Sequence, residues 1–233
     1  MNIVGHRGGT SSKLENSIDV FRQGFLNGID TAECDLNISK DNFIFIYHDK
    51  YIKINGEKKY TKDLLFKEIL SYKPEICSLE DLLINFADKQ FIFELKSGSD
   101  YKKIVDIFFE KYKNEFLKNK FISFSIDALK YVKSKDKNIY CSYIGTSSGE
   151  DKRIEIFICQ KHIDACVDNS IEELSGHWLT FLPNMIKKTH EKGIQVGIGP
   201  VNSKIIYKYC ERNNVDFVYT DNSLEISKLR SEK

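Results

Sequence analysis

The chain has 233 residues, enough for one large core, and its 35 Lys and Arg nearly cancel 34 Asp and Glu to leave a net charge of +1. That balance gives no basic surplus with which to track a nucleic-acid backbone, so neither DNA nor RNA is an expected partner. The Met1 end passes directly into Ile3-Val4-Gly5 without a basic n-region or a long apolar core, and nothing approaches the ~20 apolar residues of a membrane span. The expectation is a soluble cytoplasmic protein with no integral membrane segment.

Six cysteines, at 34, 77, 141, 159, 166 and 210, never form C-x-x-C and sit mostly in apolar runs. They read as buried free thiols of a reducing compartment rather than as a zinc or disulfide framework.

In chain order, apolar periodicity and β-branched runs predict a strand at 3–4, a helix at 17–26, and strands at 31–36 and 43–47. A helix at 79–86, a strand at 91–95, a helix at 101–116 and a strand at 121–124 follow. Next come a helix at 125–132, a strand at 139–143, a helix at 153–159 and a strand at 163–167. The chain closes with a helix at 182–191, a strand at 194–198, a helix at 203–213 and a strand at 217–219.

This alternation argues for a parallel sheet with helices outside it, and about eight strand-helix units favour a closed barrel over an open sheet. The expected fold is α/β, a single (β/α)8 TIM barrel over residues 1–233, with a short or missing helix between the second and third strands. Residues 36–42 are too few for a helix. Extended, they can reach back roughly 23 Å, so a parallel pair joined by extended chain is expected there, although so short a link usually makes a hairpin.

In such a barrel, reactive groups sit where strands end and loops begin. The first predicted strand ends in His6-Arg7, the second carries Glu33-x-Asp35, the third ends in His48, and the fourth carries Glu94-x-Lys96. Residues i and i+2 share a strand face, so Glu33 pairs with Asp35 and Glu94 with Lys96 on the lumen side. Three converging carboxylates would repel one another, which a divalent cation relieves. Oxygen ligands suit Mg²⁺ or Ca²⁺ better than zinc.

Arg7 and Lys96 are then candidates to hold a phosphate. His6 and His48, with ordinary pKa values near neutrality, are candidates for a general acid/base pair. Together these groups point to metal-assisted phosphodiester cleavage of a small-molecule substrate. His162, His177 and His190 read as structural. Gly8-Gly9 reads as a tight turn that lets backbone approach the site, since neither a dinucleotide fingerprint nor a P-loop accompanies it.

The strings H-R-G-G, L-E-N-S-I-D-V-F and G-I-D-T-A-E-C-D-L-N-I-S-K-D-N-F-I-F-I-Y-H-D resemble the N-terminal signature of the glycerophosphodiester phosphodiesterases. Weaker pieces agree in order: C-S-L-E-D-L-L at 77–83, F-E-L-K at 93–96, S-F-S at 123–125, H-E-K-G-I-Q-V at 190–196 and V-D-F-V-Y-T-D-N at 215–222. The resemblance implies a TIM-barrel enzyme that uses a divalent cation to hydrolyse glycerophosphodiesters to an alcohol and glycerol 3-phosphate. It implies Glu33, Asp35 and Glu94 as metal ligands, His6 and His48 as the acid/base pair, and Arg7 and Lys96 as phosphate contacts. Glu15 and Asn16 match a Glu-Asn pair taken to support the ligands from behind.

Two departures stand out. Leu14 replaces a proline before Glu-Asn, and Gly199-Pro200-Val201-Asn202 replaces W-T-V-N after the seventh strand. The second is expected to enlarge or reshape the pocket without touching the chemistry. The short insertion between His48 and Glu94 is expected to leave only a small cap. Two other readings share the fold: a lysophospholipase D-type phosphodiesterase on the same site, and a catalytically silent barrel that binds phosphodiesters.

Overall fold

The computed structural model describes residues 1–11, 14–96, 98, 100–145 and 157–231. Its strands are β1 (Asn2–Gly5), β2 (Thr31–Ile38), β3 (Ile44–Ile46), β4 (Tyr51–Ile54), β5 (Glu57–Tyr60), β6 (Phe91–Leu95), β7 (Lys120–Ser123), β8 (Cys141–Ile144), β9 (Glu173–His177), β10 (Gln195–Gly199) and β11 (Phe217–Thr220). Its helices are α1 (Ile18–Leu26), α2 (Phe66–Tyr72), α3 (Leu79–Asn85), α4 (Tyr101–Lys111), α5 (Lys113–Lys118), α6 (Ile126–Lys135), α7 (Gln160–Asp168), α8 (Pro183–Glu191), α9 (Lys204–Arg212) and α10 (Ser223–Ser231).

Strands β1, β2 and β6 through β11 run parallel, and the β1–β2 pairing closes them into a barrel. The expected (β/α)8 architecture is therefore present. Phe21, Phe91, Phe93, Phe108, Phe116 and Phe121 pack in the layer between strands and helices, mostly edge-on or tilted, with Phe91 stacked on Phe93. A smaller cluster of Val4, Ile92, Ile122, Phe217 and Tyr219 fills the lumen.

Below the mouth the lumen also holds a fully buried carboxyl, Glu173. Ser175 Oγ (2.6 Å) and Tyr219 Oη (2.9 Å) donate to its Oε1, and Tyr140 Oη lies 3.0 Å from its Oε2. Burial raises the pKa of this carboxyl, and the surrounding hydroxyls offset part of that.

Two expectations fail, each for a physical reason. The link at 36–42 contains no helix, but the strands that flank it pair antiparallel, with Leu36 opposite Ile46 and Ile38 opposite Ile44. Strand β2 runs on past the barrel rim and turns at Ser39–Phe43, where Ser39 Oγ donates to Asp41 Oδ1 (2.7 Å) and Asn42 takes φ 69°. Asn tolerates this left-handed conformation better than most residues, and a hairpin needs far less chain than a parallel return. The third barrel strand is thus β6, and β3 is a hairpin partner lying outside the closed ring.

The second failure is at 163–167, expected as a strand and found inside α7, where His162, Ile163 and Cys166 are buried at helical spacing. The true strand, β9, reads Glu-Leu-Ser-Gly-His, with little β-type composition. The helix expected at 101–116 divides at Tyr112 into α4 and α5. Residues 153–156 of the helix expected at 153–159 lie outside the described residues.

All six cysteines are free, and burial pushes Cys77, Cys141, Cys166 and Cys210 up to about 12. No helix among the described residues is long and apolar enough to cross a membrane.

Helix α1 is pressed onto the loop after β1. A Cβ at Gly24 would lie 2.1 Å from the Gly8 carbonyl oxygen and 2.9 Å from Ile29 Cδ1. Gly-to-Ala inside a helix ordinarily gains about 1 kcal/mol. Here the backbone clash reverses the sign, and Gly24→Ala is expected to destabilise the fold by about 2–3 kcal/mol. A urea midpoint equal to or above that of wild type would refute this packing.

Candidate active site

The lumen-facing alternation of β2 places Glu33 and Asp35 on one side of the strand while Cys34 and Leu36 pack outward. The β2–β6 register sets Asp35 directly beside Glu94. Ligand-capable oxygens of Glu33, Asp35 and Glu94 all lie within 4.8 Å of one another. The three residues are buried, Asp35 completely.

Cations surround this cluster. Lys96 contacts Asp35 and lies 2.8 Å from Glu94 Oε1. Arg7 Nε lies 3.3 Å from Asp35 Oδ2, while its Nη1 donates to Glu15 Oε1 at 2.7 Å. Just after β1, Arg7 takes φ 49°, and its amide then donates to Glu33 Oε2 at 2.9 Å. Asn16 Nδ2 donates to Asp35 Oδ2 at 2.7 Å and its Oδ1 accepts from the Asp35 amide at 3.3 Å. Both members of the Glu15-Asn16 pair thus touch the cluster or its cation from behind.

The electrostatics divide the three acids. Burial tends to raise the Asp35 pKa, but Lys96 and Arg7 outweigh burial and hold its carboxyl below the usual range. Burial and then the Asp35 charge raise the Glu33 carboxyl. Burial, again followed by Asp35, pushes Glu94 up to about 8. Glu33 Oε1 is buried and has no hydrogen-bond partner among the described residues.

An orphaned buried oxygen, beside two further carboxylates that resist joint ionisation, is what a divalent cation satisfies. The donor set therefore fits a metal ion, with Glu33, Asp35 and Glu94 as the residues that can hold it.

The two histidines occupy opposite fields. His6 Nδ1 lies 2.6 Å from Asp221 Oδ1. Burial would lower its pKa, but the Asp221 hydrogen bond and the Glu33 charge raise it to about 9. His48 follows the β2–β3 hairpin, with the Tyr47 amide bonded to the Asp35 carbonyl (3.0 Å), so the imidazole returns to the level of the carboxylates. Its Nδ1 pairs with Asp49 Oδ1 at 2.8 Å. Burial lowers its pKa, a shift the Asp35 charge opposes and Lys96 reinforces.

His6, Arg7, Glu33, His48, Glu94 and Lys96 all line one cavity of about 330 Å³ at the carboxyl ends of the strands. Asp35 lies beneath them in the cluster. All the residues singled out from the sequence for chemistry are thereby brought together.

Sequence reasoning missed part of this cavity. Asp221, one residue beyond β11, anchors His6 and accepts from Asn202 Nδ2 at 2.9 Å. The same strand-end rule that selected His6 would have selected it. His177 lines the cavity at the end of β9 and accepts the Leu179 amide at Nδ1 (3.2 Å). It was passed over together with its strand. His162 accepts the Cys159 amide at the start of α7, and His190 Nε2 lies 2.8 Å from Asp216 Oδ2.

The opposite wall is apolar, built by Ile122, Phe124, Ile144 and Pro200. Gly199 does not simply vacate a wall position: a Cβ there would lie 2.8 Å from Tyr219 Cβ, so β10 is pressed against β11 at this point.

Fold and site together define a (β/α)8-barrel protein whose mouth is lined by carboxylates, cations and two histidines. The sequence model of the Glycerophosphoryl diester phosphodiesterase family matches residues 6–225, and the chain belongs to that family.

Among curated proteins, the chain is 29% identical over 118 residues to a lysophospholipase D of Mus musculus. That alignment covers 43% of this chain and 36% of the relative. A glycerophosphodiester phosphodiesterase of Caldanaerobacter subterraneus subsp. tengcongensis is 28% identical over 111 residues, covering 41% of this chain and 45% of the relative. The chain thus spans less than half the length of these curated relatives.

Solved structures agree in fold. The Thermotoga maritima glycerophosphodiester phosphodiesterase superposes with a TM-score of 0.79 at 23% identity, covering 98% of this chain and 97% of that one. An Oleispira antarctica phosphodiesterase in complex with the product sn-glycerol-3-phosphate gives 0.85 at 17% identity, covering 99% and 97%.

The acid cluster sets the pH dependence of cation binding. Burial and the Asp35 charge push the Glu94 carboxyl up to about 8, so a cation bound there below that pH is expected to displace a proton. Affinity for a divalent cation is therefore expected to rise between pH 6 and 8 by up to about tenfold per unit for each proton displaced. Calorimetry in buffers of different ionisation enthalpy measures both affinity and proton release. A flat profile would refute the raised carboxyl.

Proposed function

We propose that the chain is a metal-dependent phosphodiesterase that hydrolyses glycerophosphodiesters to an alcohol and glycerol 3-phosphate, with residues 1–233 acting as one barrel domain. The observation that carries this reading is the convergence of Glu33, Asp35 and Glu94 within 4.8 Å beside a cavity that His6, His48, Arg7 and Lys96 also line. Three carboxylates in one buried place serve a cation, and two histidines with flanking cations serve a phosphoester.

Glu33, Asp35 and Glu94 would hold Mg²⁺ or Ca²⁺, hard ions suited to oxygen ligands. When bound, the ion supplies Lewis-acid polarisation of a phosphoryl oxygen. Arg7 and Lys96 orient the phosphate and stabilise charge that develops on it. Glu15 holds the Arg7 guanidinium in place, and Asn16 fixes the Asp35 carboxylate.

The histidines divide the proton work by their surroundings. His48 is kept neutral and accepts a proton from the attacking hydroxyl. His6 is kept protonated by Asp221 and donates to the leaving alkoxide. Asp221 and Asn202 fix the tautomer and direction of the His6 ring.

A second reading keeps the site and changes the substrate to a lysophospholipid. The apolar wall of Ile122, Phe124, Ile144 and Pro200 favours it, as does the name of the Mus musculus relative. Assaying glycerophosphocholine against lysophosphatidylcholine with each metal separates the two.

Turnover is expected to require added Mg²⁺ or Ca²⁺ and to stop with EDTA. His6→Ala and His48→Ala should each lower kcat on glycerophosphocholine by roughly 10²–10⁴. The two should then differ with bis(p-nitrophenyl) phosphate, whose leaving group needs no protonation. His6→Ala recovers most of the lost rate on that substrate, and His48→Ala does not. Equal defects on both substrates would refute the division of roles, and no turnover by folded wild type with any metal would refute the enzyme reading.

A further inference from the structure

A second, larger cavity of about 590 Å³ is lined by Lys40, Lys50, Lys62 and Lys103 together with Tyr60 and Asp100. It shares loops with the first. Lys50 follows His48 by two residues, and Gly98, which also lines it, follows Lys96 by two. The lysines come from four separate places: the β2–β3 turn, the segment after His48, the short 3-10 turn Thr61–Asp63, and α4.

Hydrogen bonds tie together the segments that carry them. Thr61 is buried at 2% exposure, and its Oγ1 donates to Asn37 Oδ1 (2.9 Å) and lies 3.1 Å from the Lys50 carbonyl. The Thr61 amide bonds that same carbonyl at 3.0 Å, and the Lys40 amide bonds the Leu64 carbonyl at 2.9 Å. Asn37 Nδ2 donates to the Asp49 carbonyl at 2.9 Å, which ties the end of β2 to the segment after His48.

Charge balance differs sharply between the two cavities. In the mouth, Arg7 and Lys96 are each matched by carboxylates. In the second cavity Asp100 is the lone carboxylate among the described lining residues, against the ammonium groups of Lys40, Lys62 and Lys103. No described carboxylate lies within ion-pair distance of Lys40, Lys62 or Lys103. These three lysines are exposed, and together they offer an anion at the cavity a favourable field.

We propose that this cavity is a second anion subsite, which takes a phosphate or comparable acidic group on the alcohol side of a diester seated in the mouth. The proposal rests on the phosphodiesterase reading of that mouth. It makes the preferred alcohol an anionic one and places a quaternary ammonium alcohol at a disadvantage. Tyr60, half exposed at the rim, adds a hydroxyl donor to the ammonium groups.

The test has two arms. In the first, inorganic tripolyphosphate is titrated calorimetrically into metal-free wild type and into the triple variant Lys40→Ala, Lys62→Ala, Lys103→Ala. A control carries Lys111→Ala, Lys188→Ala and Lys192→Ala, which remove equal charge from α4's far end and from α8 and the residue after it. Binding is expected to weaken about tenfold or more in the first triple variant alone. Equal weakening in both would mean general surface charge and would overturn the proposal.

In the second arm, KM is measured for a glycerophosphodiester with a phosphorylated alcohol and for glycerophosphocholine. The first triple variant should raise KM about tenfold for the phosphorylated substrate and leave the choline substrate unchanged. Equal KM changes for both substrates would overturn the proposal. If no variant or wild type turns over either diester while tripolyphosphate binding still depends on the three lysines, the phosphodiesterase reading fails and the anion site stands.

Discussion

Mutual repulsion among Glu33, Asp35 and Glu94 is the constraint around which the rest of the site is arranged. Two buried carboxylates on one strand and a third beside them on the next cannot all ionise in a protein interior without compensation. Arg7 and Lys96 compensate Asp35 and leave the other two acids only partly relieved. The left-handed turn at Arg7, the Asn16 bonds to Asp35 and the proximity of His6 all follow from seating cations and donors against this one cluster. A rigid shell of this kind keeps the acids poised when no cation shares the charge, which is what preorganisation requires.

Much of this was legible in the sequence because barrel geometry is periodic. Glu33 and Asp35 could be assigned to one strand face from their spacing, and His6 to a strand end from the apolar run before it. His48 lines the cavity, but reaches it by a route other than the expected one. The chain gets it there by doubling back in a hairpin, and the turn-forming residues Ser39 to Asn42 carried that signal. A maximum reach of the chain set a bound on what was possible, and turn chemistry decided within it.

What stayed hidden was structure stabilised by partners distant in sequence. Strand β9 carries Glu173, Ser175 and His177 on the lumen side, and Glu173 looks unlike a buried strand residue until Tyr219 of β11 and Tyr140, just before β8, arrive to bond it. Asp221 stands at a strand end as His6 does, but its role, a bond to His6 from the far end of the chain, is set by tertiary pairing. Polar cores are specified by tertiary pairing, whereas apolar periodicity is specified locally. The sequence pattern therefore showed the chemistry of the first three barrel strands better than that of the last three.

The hairpin between β2 and β3 also separates two kinds of architecture. Every residue from Phe43 to the end of α3 lies outside the closed ring, yet this excursion leaves β2 and returns to β6, its immediate neighbour in the barrel. Strands β2 and β6 are neighbours in the ring on either side of this excursion. Residues 49–77 thus form a rim hung outside the ring and tied back to it by Asp49 on His48 and by Cys77 against the Asn16 carbonyl, so an exchange of this rim in protein engineering has to keep those two residues to leave the site in place.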